Sequence, residues 1–87
     1  MAVVNIPAAM RGLSGGEVKV QISGSTLAEA IESLESSFPG MKARLVEGDR
    51  IRPGLAAFVD GVQASAGLKT RLSEASEVYF APAIAGG

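Results

Sequence analysis

The side chains that most often carry out chemistry in proteins are missing from this sequence or occur where ordinary structure explains them. The 87 residues include no Cys and no His. Disulfides, thiolate metal sites and Cys nucleophiles are therefore excluded, and the commonest general base near neutral pH is absent. Glu29, Glu32 and Glu35 have the spacing of the outer face of a helix, and Glu47 and Asp49 fall in a charged loop. The sequence indicates a protein that is not an enzyme by itself and that binds no metal or cofactor of its own.

The carboxylate of Gly87 is a chemical group of a different kind. The sequence ends in Pro82-Ala83-Ile84-Ala85-Gly86-Gly87, and an uncharged terminus of this length is ordinarily frayed chain. Two glycines, however, can pass through a narrow channel and adopt backbone angles that other residues avoid. The five residues after Pro82 reach at most about 16–18 Å. A carboxylate is a poor electrophile, but a partner that uses ATP could adenylate it and so expose its carbonyl carbon to attack.

The composition narrows the choice of partners and compartment. Eight basic and nine acidic residues give a net charge of −1, which provides no electrostatic case for binding nucleic acid. Asn5 and Pro7 interrupt the N-terminal residues, which lack the basic start and long apolar run of a signal peptide. The uncharged stretch from Val78 to Gly87 is much shorter than the roughly 20 residues that span a bilayer. We expect a soluble cytoplasmic protein without nucleic-acid or membrane partners.

The first half of the chain predicts a β-hairpin followed by a helix. Ala2–Ile6 is apolar and β-branched, and Glu17–Ser23 alternates with Val18, Val20 and Ile22 on one face. Thr26 and Glu29 have the spacing of a capping box, and Pro39-Gly40 ends the helix, which we predict from about Thr26 to Ser37. Its apolar stripe comprises Leu27, Ala30, Ile31, Leu34 and Phe38.

The second half predicts a further hairpin and a last strand. Its segments are a short helical turn within Met41–Val46, a loop over Glu47–Gly54, a strand at Leu55–Val59, a two-residue turn at Asp60-Gly61, a return at Val62–Ala64, a connector at Gly67–Leu72 and a strand at Glu77–Ala81. Val78 and Phe80 should lie on one face of the last strand, and Tyr79 and Ala81 on the other. The order is that of an α+β domain with one helix on a mixed sheet. With the last strand parallel to the first in the middle of the sheet, this is the ubiquitin-like β-grasp fold. We predict one such domain over residues 1–82 and a flexible tail over residues 83–87.

Several short motifs then give the whole chain a specific resemblance. They are Arg11 and Leu13 after the first strand, Ser25-Thr26-Leu27, Phe38-Pro39-Gly40, Val59-Asp60, and the run from Glu77 to Gly87. On these residues the chain resembles the ubiquitin-like sulfur carriers, a family that includes the small subunit of molybdopterin synthase, the thiazole sulfur carrier and the carriers for cysteine synthesis from a thiocarboxylate. Pro7 and Ala81 stand where molybdopterin-synthase subunits tend to carry aromatics, which favours the cysteine-type branch or one serving secondary metabolism.

The resemblance implies a reaction cycle centred on Gly87. A ubiquitin-activating-type adenylyltransferase would adenylate Gly87 with ATP-Mg, a sulfurtransferase or sulfide would supply sulfur, and the thiocarboxylate would donate it on a downstream synthase. Ile84, Ala85 and Gly86 would thread the partner's channel. The sheet face without a helix, with its apolar side chains, suggests a docking surface that includes Pro7, Tyr79 and Ala81, together with Ile84 on the tail.

Three alternatives remain open from the residues. The first is a small subunit of molybdopterin synthase. The second is a ubiquitin-like modifier that forms isopeptide bonds with lysines, since the activation chemistry is shared. The third is a β-grasp interaction module in which the two glycines are incidental. A carrier forms a thiocarboxylate, a modifier forms conjugates of higher mass, and an interaction module would tolerate loss of the glycines.

Overall fold

One long helix packs on a five-stranded sheet in the computed structural model, which describes residues 2–82. The strands are β1 (Ala2–Asn5), β2 (Lys19–Ile22), β3 (Val46–Glu47), β4 (Arg50–Ile51), β5 (Leu55–Val59), β6 (Val62–Gln63) and β7 (Glu77–Pro82). The helices are α1 (Leu27–Ser37) and α2 (Met41–Leu45), with short 3-10 turns at Ala8–Met10 and Gly67–Lys69. The predicted order of elements is confirmed apart from β3 and β4, which were not predicted.

The last strand lies in the middle of the main sheet. The strand order is β2-β1-β7-β5-β6, and β3 and β4 form a separate ribbon. β7 runs parallel to β1, with Val4 opposite Val78, and antiparallel to β5, with Ala57 opposite Phe80. This arrangement of a mixed sheet under a single main helix is the predicted β-grasp fold.

The predicted apolar stripe of α1 forms the centre of the core. Leu27, Ala30, Ile31 and Leu34 are at most 1% exposed. They belong to one buried cluster with Val4, Ile6, Val78 and Phe80 of the sheet side and with Met41 and Leu45 of α2. The helix register read from the sequence is therefore confirmed. Phe38, at the C-cap, is only half-buried.

The N-terminus of α1 is capped much as the sequence predicts, with one difference. Thr26 Oγ1 accepts a hydrogen bond from the Glu29 N–H at 3.3 Å. The Glu29 carboxylate does not bond back to Thr26; it accepts from the N–H of Ser25 at 2.8 Å and from the Ser25 hydroxyl at 3.1 Å. These two bonds lower the pKa of Glu29. The reciprocal bond thus falls one residue earlier, because Glu29 reaches past the cap residue.

We expect Thr26→Ala to lower the free energy of unfolding by about 0.5–2 kcal/mol, because the N–H of Glu29 loses its acceptor. Urea unfolding followed by circular dichroism measures the change. Ser36→Ala, an exposed position near the other end of the same helix, is the control and should change the value by less than about 0.5 kcal/mol. Equal losses in both variants would contradict a capping role for Thr26.

Gly24 allows β2 to turn closely into α1. Its φ is +142°, and a Cβ at this position would lie 2.8 Å from Cβ of Glu29 and 3.0 Å from N of Ala30. A side chain would therefore collide with the first turn of the helix. A glycine is therefore required where the backbone approaches the helix this closely.

The second hairpin turns at Asp60-Gly61, as the sequence predicts. Both residues have positive φ, 52° and 83°, which is the signature of a type I′ turn. The Asp60 carboxylate also accepts from the N–H of Glu77 at 2.9 Å. The turn is thereby tied to the start of the central strand.

Two sequence predictions are wrong in detail. Val18 was expected on the buried face of a strand but is 48% exposed. The strand begins only at Lys19, and the residues before it form a turn in which Ser14 Oγ bonds the carbonyls of Arg11 and Glu17. The ribbon of β3 and β4 lies where the sequence predicted the end of a helical turn, at Val46, and a loop over Glu47–Gly54; its strands of two residues are too short to show a period.

Within residues 2–82, none of the helices combines the length and the apolar character that crossing a membrane requires.

Candidate functional site

The predicted reactive end of the chain leaves the domain from the central strand. Ile84, Ala85, Gly86 and Gly87 lie outside the described residues, so the structure fixes the position from which they start. That position is Pro82, the last residue of β7, which lies opposite Leu55 of β5. The start of the tail thus follows a residue paired with β5, in a strand whose first residues also pair with β1.

The parallel pairing of β1 and β7 brings a second segment to the same end of the sheet. Val4 is level with Val78, and because the two strands are parallel, β1 and β7 run towards the same end of the sheet. The chain after β1 therefore lies on one side of the point where the tail begins, and the start of β5 lies on the other.

The sheet face opposite α1, called the open face below, contains two of the three predicted docking residues. Tyr79 and Ala81 alternate with the buried Val78 and Phe80 and so lie on this face. Tyr79 is 44% exposed. Ala81 is half-buried because it sits in the central strand opposite Ala56. Pro7 is also half-buried and lies beyond the end of β1, at the edge of this face.

The open face has further members that the sequence analysis did not name. Phe58 lies directly opposite Tyr79 and is half-buried, so it extends the apolar surface across β5. The signal that could have found it is the alternation in Leu55–Val59, where Ala57 is the fully buried member. The alternation does not show that β5 pairs with β7. It therefore could not predict that Phe58 lies beside Tyr79.

Glu77 joins the strands of the open face through one carboxylate oxygen. Glu77 Oε2 accepts from Asn5 Nδ2 at 3.0 Å and from the Tyr79 hydroxyl at 3.0 Å, and it lies 3.3 Å from Lys19 Nζ. The three donors come from β1, β7 and β2. The bonds from Asn5, Tyr79 and Lys19 lower the pKa of Glu77. The same carboxylate raises the pKa of Tyr79, because it stabilises the protonated phenol that donates to it.

Other features of residues 2–82 offer no alternative centre for chemistry. Cavities of about 340 and 380 Å³ lie beside β6 and between α1 and α2, and no nucleophile paired with a base lines either one. The described part of the chain has no group of three or more Asp or Glu residues placed to hold a metal ion. The described residues form a sheet whose central strand ends at Pro82, with apolar side chains on the open face of the same strand and of β5.

Comparison with known proteins assigns this arrangement to a family. A model of the ThiS family matches residues 4–87. The chain belongs to the ThiS family. The match includes the segment from Ile84 to Gly87 as well as the folded domain, and it agrees with the resemblance that the sequence motifs carry.

Individual members and neighbours support the assignment. The sulfur carrier protein CysO of Mycobacterium tuberculosis is 37% identical over 91 residues, which cover 97% of this chain and 96% of the relative. In the crystal structure of the Amycolatopsis orientalis BexX/CysO complex, the matching chain has a TM-score of 0.92 at 32% identity, with 100% of both chains covered.

A third likeness concerns the fold alone. The solution structure of small archaeal modifier protein 1 from Methanosarcina acetivorans has a TM-score of 0.78 at 22% identity, and the match covers 99% of this chain and 95% of that chain. The same β-grasp architecture is thus found in a protein of low sequence identity. The ThiS-family assignment of this chain comes from the closer matches.

Proposed function

We propose that this protein is a sulfur carrier whose Gly87 carboxylate is converted to a thiocarboxylate that donates sulfur in a biosynthetic pathway. The observation that carries the proposal is the 37% identity with a sulfur carrier protein over nearly the full length of both chains. The family match also extends to Gly87 itself. The absence of Cys and His is consistent with a protein whose own side chains perform no catalysis.

The proposed chemistry has two stages: the Gly87 carboxylate is activated as an acyl adenylate, and sulfur then displaces AMP from it. In the site of a ubiquitin-activating-type adenylyltransferase, a Gly87 carboxylate oxygen would attack the α-phosphorus of ATP-Mg, and pyrophosphate would leave. Sulfide would then attack the carbonyl carbon of the acyl adenylate, and AMP would leave. If the donor is instead a sulfurtransferase persulfide, a thiol of the enzymes must afterwards cleave the sulfur–sulfur bond to release the thiocarboxylate. A downstream synthase would consume the product.

The protein's own part in this cycle is to present the tail. β7 is held between β1 and β5, so the start of the tail has a fixed position and direction. Five residues beyond Pro82 extend at most about 16–18 Å, a distance suited to a buried site in a partner. Ile84, Ala85 and Gly86 would line the partner's channel. The dependence on cellular ATP suits the cytoplasm.

The proposal is tested by intact-protein mass spectrometry. We expect the protein, incubated with its adenylyltransferase, ATP-Mg and a sulfur donor, to gain the mass difference between sulfur and oxygen, with the change localised to Gly87. Modification of a side chain would contradict the proposal. Isopeptide conjugates formed in place of the thiocarboxylate would instead indicate a ubiquitin-like modifier.

We also propose that the open face and the tail dock together on the adenylyltransferase. Exposed apolar patches often mark sites of protein interaction, and tyrosine is among the residue types enriched where the binding energy of an interface is concentrated. Tyr79 is exposed beside Phe58, and Pro7 and Ala81 lie at the end of the face where the tail begins. This surface and the tail could therefore contact one partner at the same time.

We expect Tyr79→Asp, and separately Ile84→Asp, to weaken binding to the adenylyltransferase at least about tenfold, because each places a charge in an apolar contact. Isothermal titration calorimetry measures the affinity, and circular dichroism checks the fold. Val62→Asp is the matched control, since Val62 is a 69% exposed apolar residue on the edge strand β6. Unchanged affinity in Tyr79→Asp, or an equal loss in Val62→Asp, would place the interface elsewhere.

A further inference from the structure

Glu77 is a half-buried glutamate in an unusual position. It starts the central strand, and three donors from three different strands converge on its Oε2 atom. Its own backbone N–H is fixed as well, by the Asp60 carboxylate at 2.9 Å. Asn5 Nδ2 also donates to the carbonyl of Val78 at 3.2 Å, so the amide that holds Glu77 is itself held by β7. The backbone N–H and the side-chain carboxylate of Glu77 are thereby both held in place.

The bond to Glu77 determines the direction of the Tyr79 ring. The two residues are two positions apart on one strand, so their Cα atoms are separated by about 6.6 Å and their side chains share the open face. The Tyr79 hydroxyl can come within 3.0 Å of Glu77 Oε2 only if the ring extends along β7 towards Glu77. It then points away from Ala81 and from Pro82, where the tail begins.

We infer that Glu77 is a positioning residue of the docking surface: it holds the Tyr79 ring over the first half of β7, ready for the partner and clear of the start of the tail. The inference rests on the proposed docking of the open face on the adenylyltransferase. Without this bond the ring is released to rotate about χ1 and to turn towards Ala81. Docking then has to immobilise a mobile aromatic side chain, which costs affinity.

The first test uses the ultraviolet absorbance of the phenol. Tyr79 is the only tyrosine of the chain, and there is no tryptophan, so titration of phenolate absorbance reports on this one group. Glu77→Gln keeps the size of the side chain but replaces the charged acceptor with a neutral amide, which has a donor at one end. We expect the pKa of Tyr79 to fall in this variant. An unchanged pKa would show that the bond is not made in solution and would overturn the inference.

The second test measures docking directly, as affinity for the adenylyltransferase in the absence of ATP and sulfur donor. Glu77→Gln and Tyr79→Phe should each raise Kd about three- to tenfold, because the first weakens and the second removes the bond that holds the ring. The double variant should bind no more weakly than Tyr79→Phe, because that substitution already removes the interaction on which Glu77→Gln acts. Glu32→Gln is the matched control, since it removes an exposed ion pair with Lys42 beside α1, and it should leave Kd unchanged.

Two affinity results would overturn the inference. Unchanged Kd in Glu77→Gln, despite a lowered pKa of Tyr79, would mean that docking does not use the ring orientation. A further loss in the double variant relative to Tyr79→Phe would mean that Glu77 affects docking by a route other than its bond to Tyr79. Because docking is measured without chemistry, a wild-type chain that binds but gains no sulfur contradicts the proposed function and leaves the positioning of Tyr79 intact.

Discussion

Deletion of Gly87 should abolish the gain of sulfur and leave the free energy of unfolding unchanged. The deletion leaves a terminal carboxylate on Gly86, but that group is about 3.3–3.6 Å short of the original position. A displacement of about 1 Å at a reacting centre can cost a factor of about 100 in rate, so the shortened chain should give no detectable product. We expect stability to stay the same, because within residues 2–82 the side chains from Ala2 to Phe80 already form a continuous buried core.

Two substitutions distinguish the effect of tail length on the reaction from the effect of side-chain size. Gly87→Ala keeps the carboxylate at full reach and should retain part of the activity. Gly86→Val also keeps the reach but adds a β-branched side chain to a residue that must pass through the partner's channel, and it should react poorly. Mass spectrometry of the three variants under identical conditions gives the comparison. Full activity after loss of both Gly86 and Gly87 would contradict the proposed chemistry.

The sequence predicts much of this fold because the strongest signals are local and agree with one another. The stripe through Leu27, Ile31 and Leu34 has a helical period, and both the cap at Thr26 and the stop at Pro39-Gly40 mark the same helix. Asp60-Gly61 likewise predicts a hairpin by itself. Once these elements are known, a last strand with alternating burial has few places to lie, and the centre of the sheet is the one observed.

The details that were missed depend on contacts between distant residues. The exposure of Val18 follows from where the turn before β2 ends, and the ribbon of β3 and β4 is too short to produce a periodic pattern. In the site, alternation alone places Tyr79 on the open face. The role of Glu77 depends on Asn5, 72 positions away along the chain, and it becomes visible only when the register of β1 and β7 is known.

Replacement of Leu34 by Ala should have the opposite effect to deletion of Gly87, with a large loss of stability and intact chemistry. Leu34 is 0% exposed at the centre of the buried cluster. Truncation of a buried leucine costs about 2–5 kcal/mol, through lost transfer free energy and the cavity left behind. The free energy of unfolding of a native protein is about 5–15 kcal/mol in total. The variant should therefore remain folded only marginally. Urea unfolding should show a lower midpoint with an unchanged slope.

A second leucine shows whether burial is the cause of the loss. Leu68→Ala removes the same atoms from a half-buried position that packs against the outside of the core, and it should cost clearly less. The chemistry is tested at a temperature where the Leu34→Ala variant is still folded. The Leu34→Ala protein should then gain sulfur to the same extent as the wild type, since β7 and the tail are unaltered. Equal losses of stability in both variants would contradict the central place of Leu34. Failure of the folded Leu34→Ala protein to gain sulfur would show that the helix layer, and not only the open face and tail, takes part in activation.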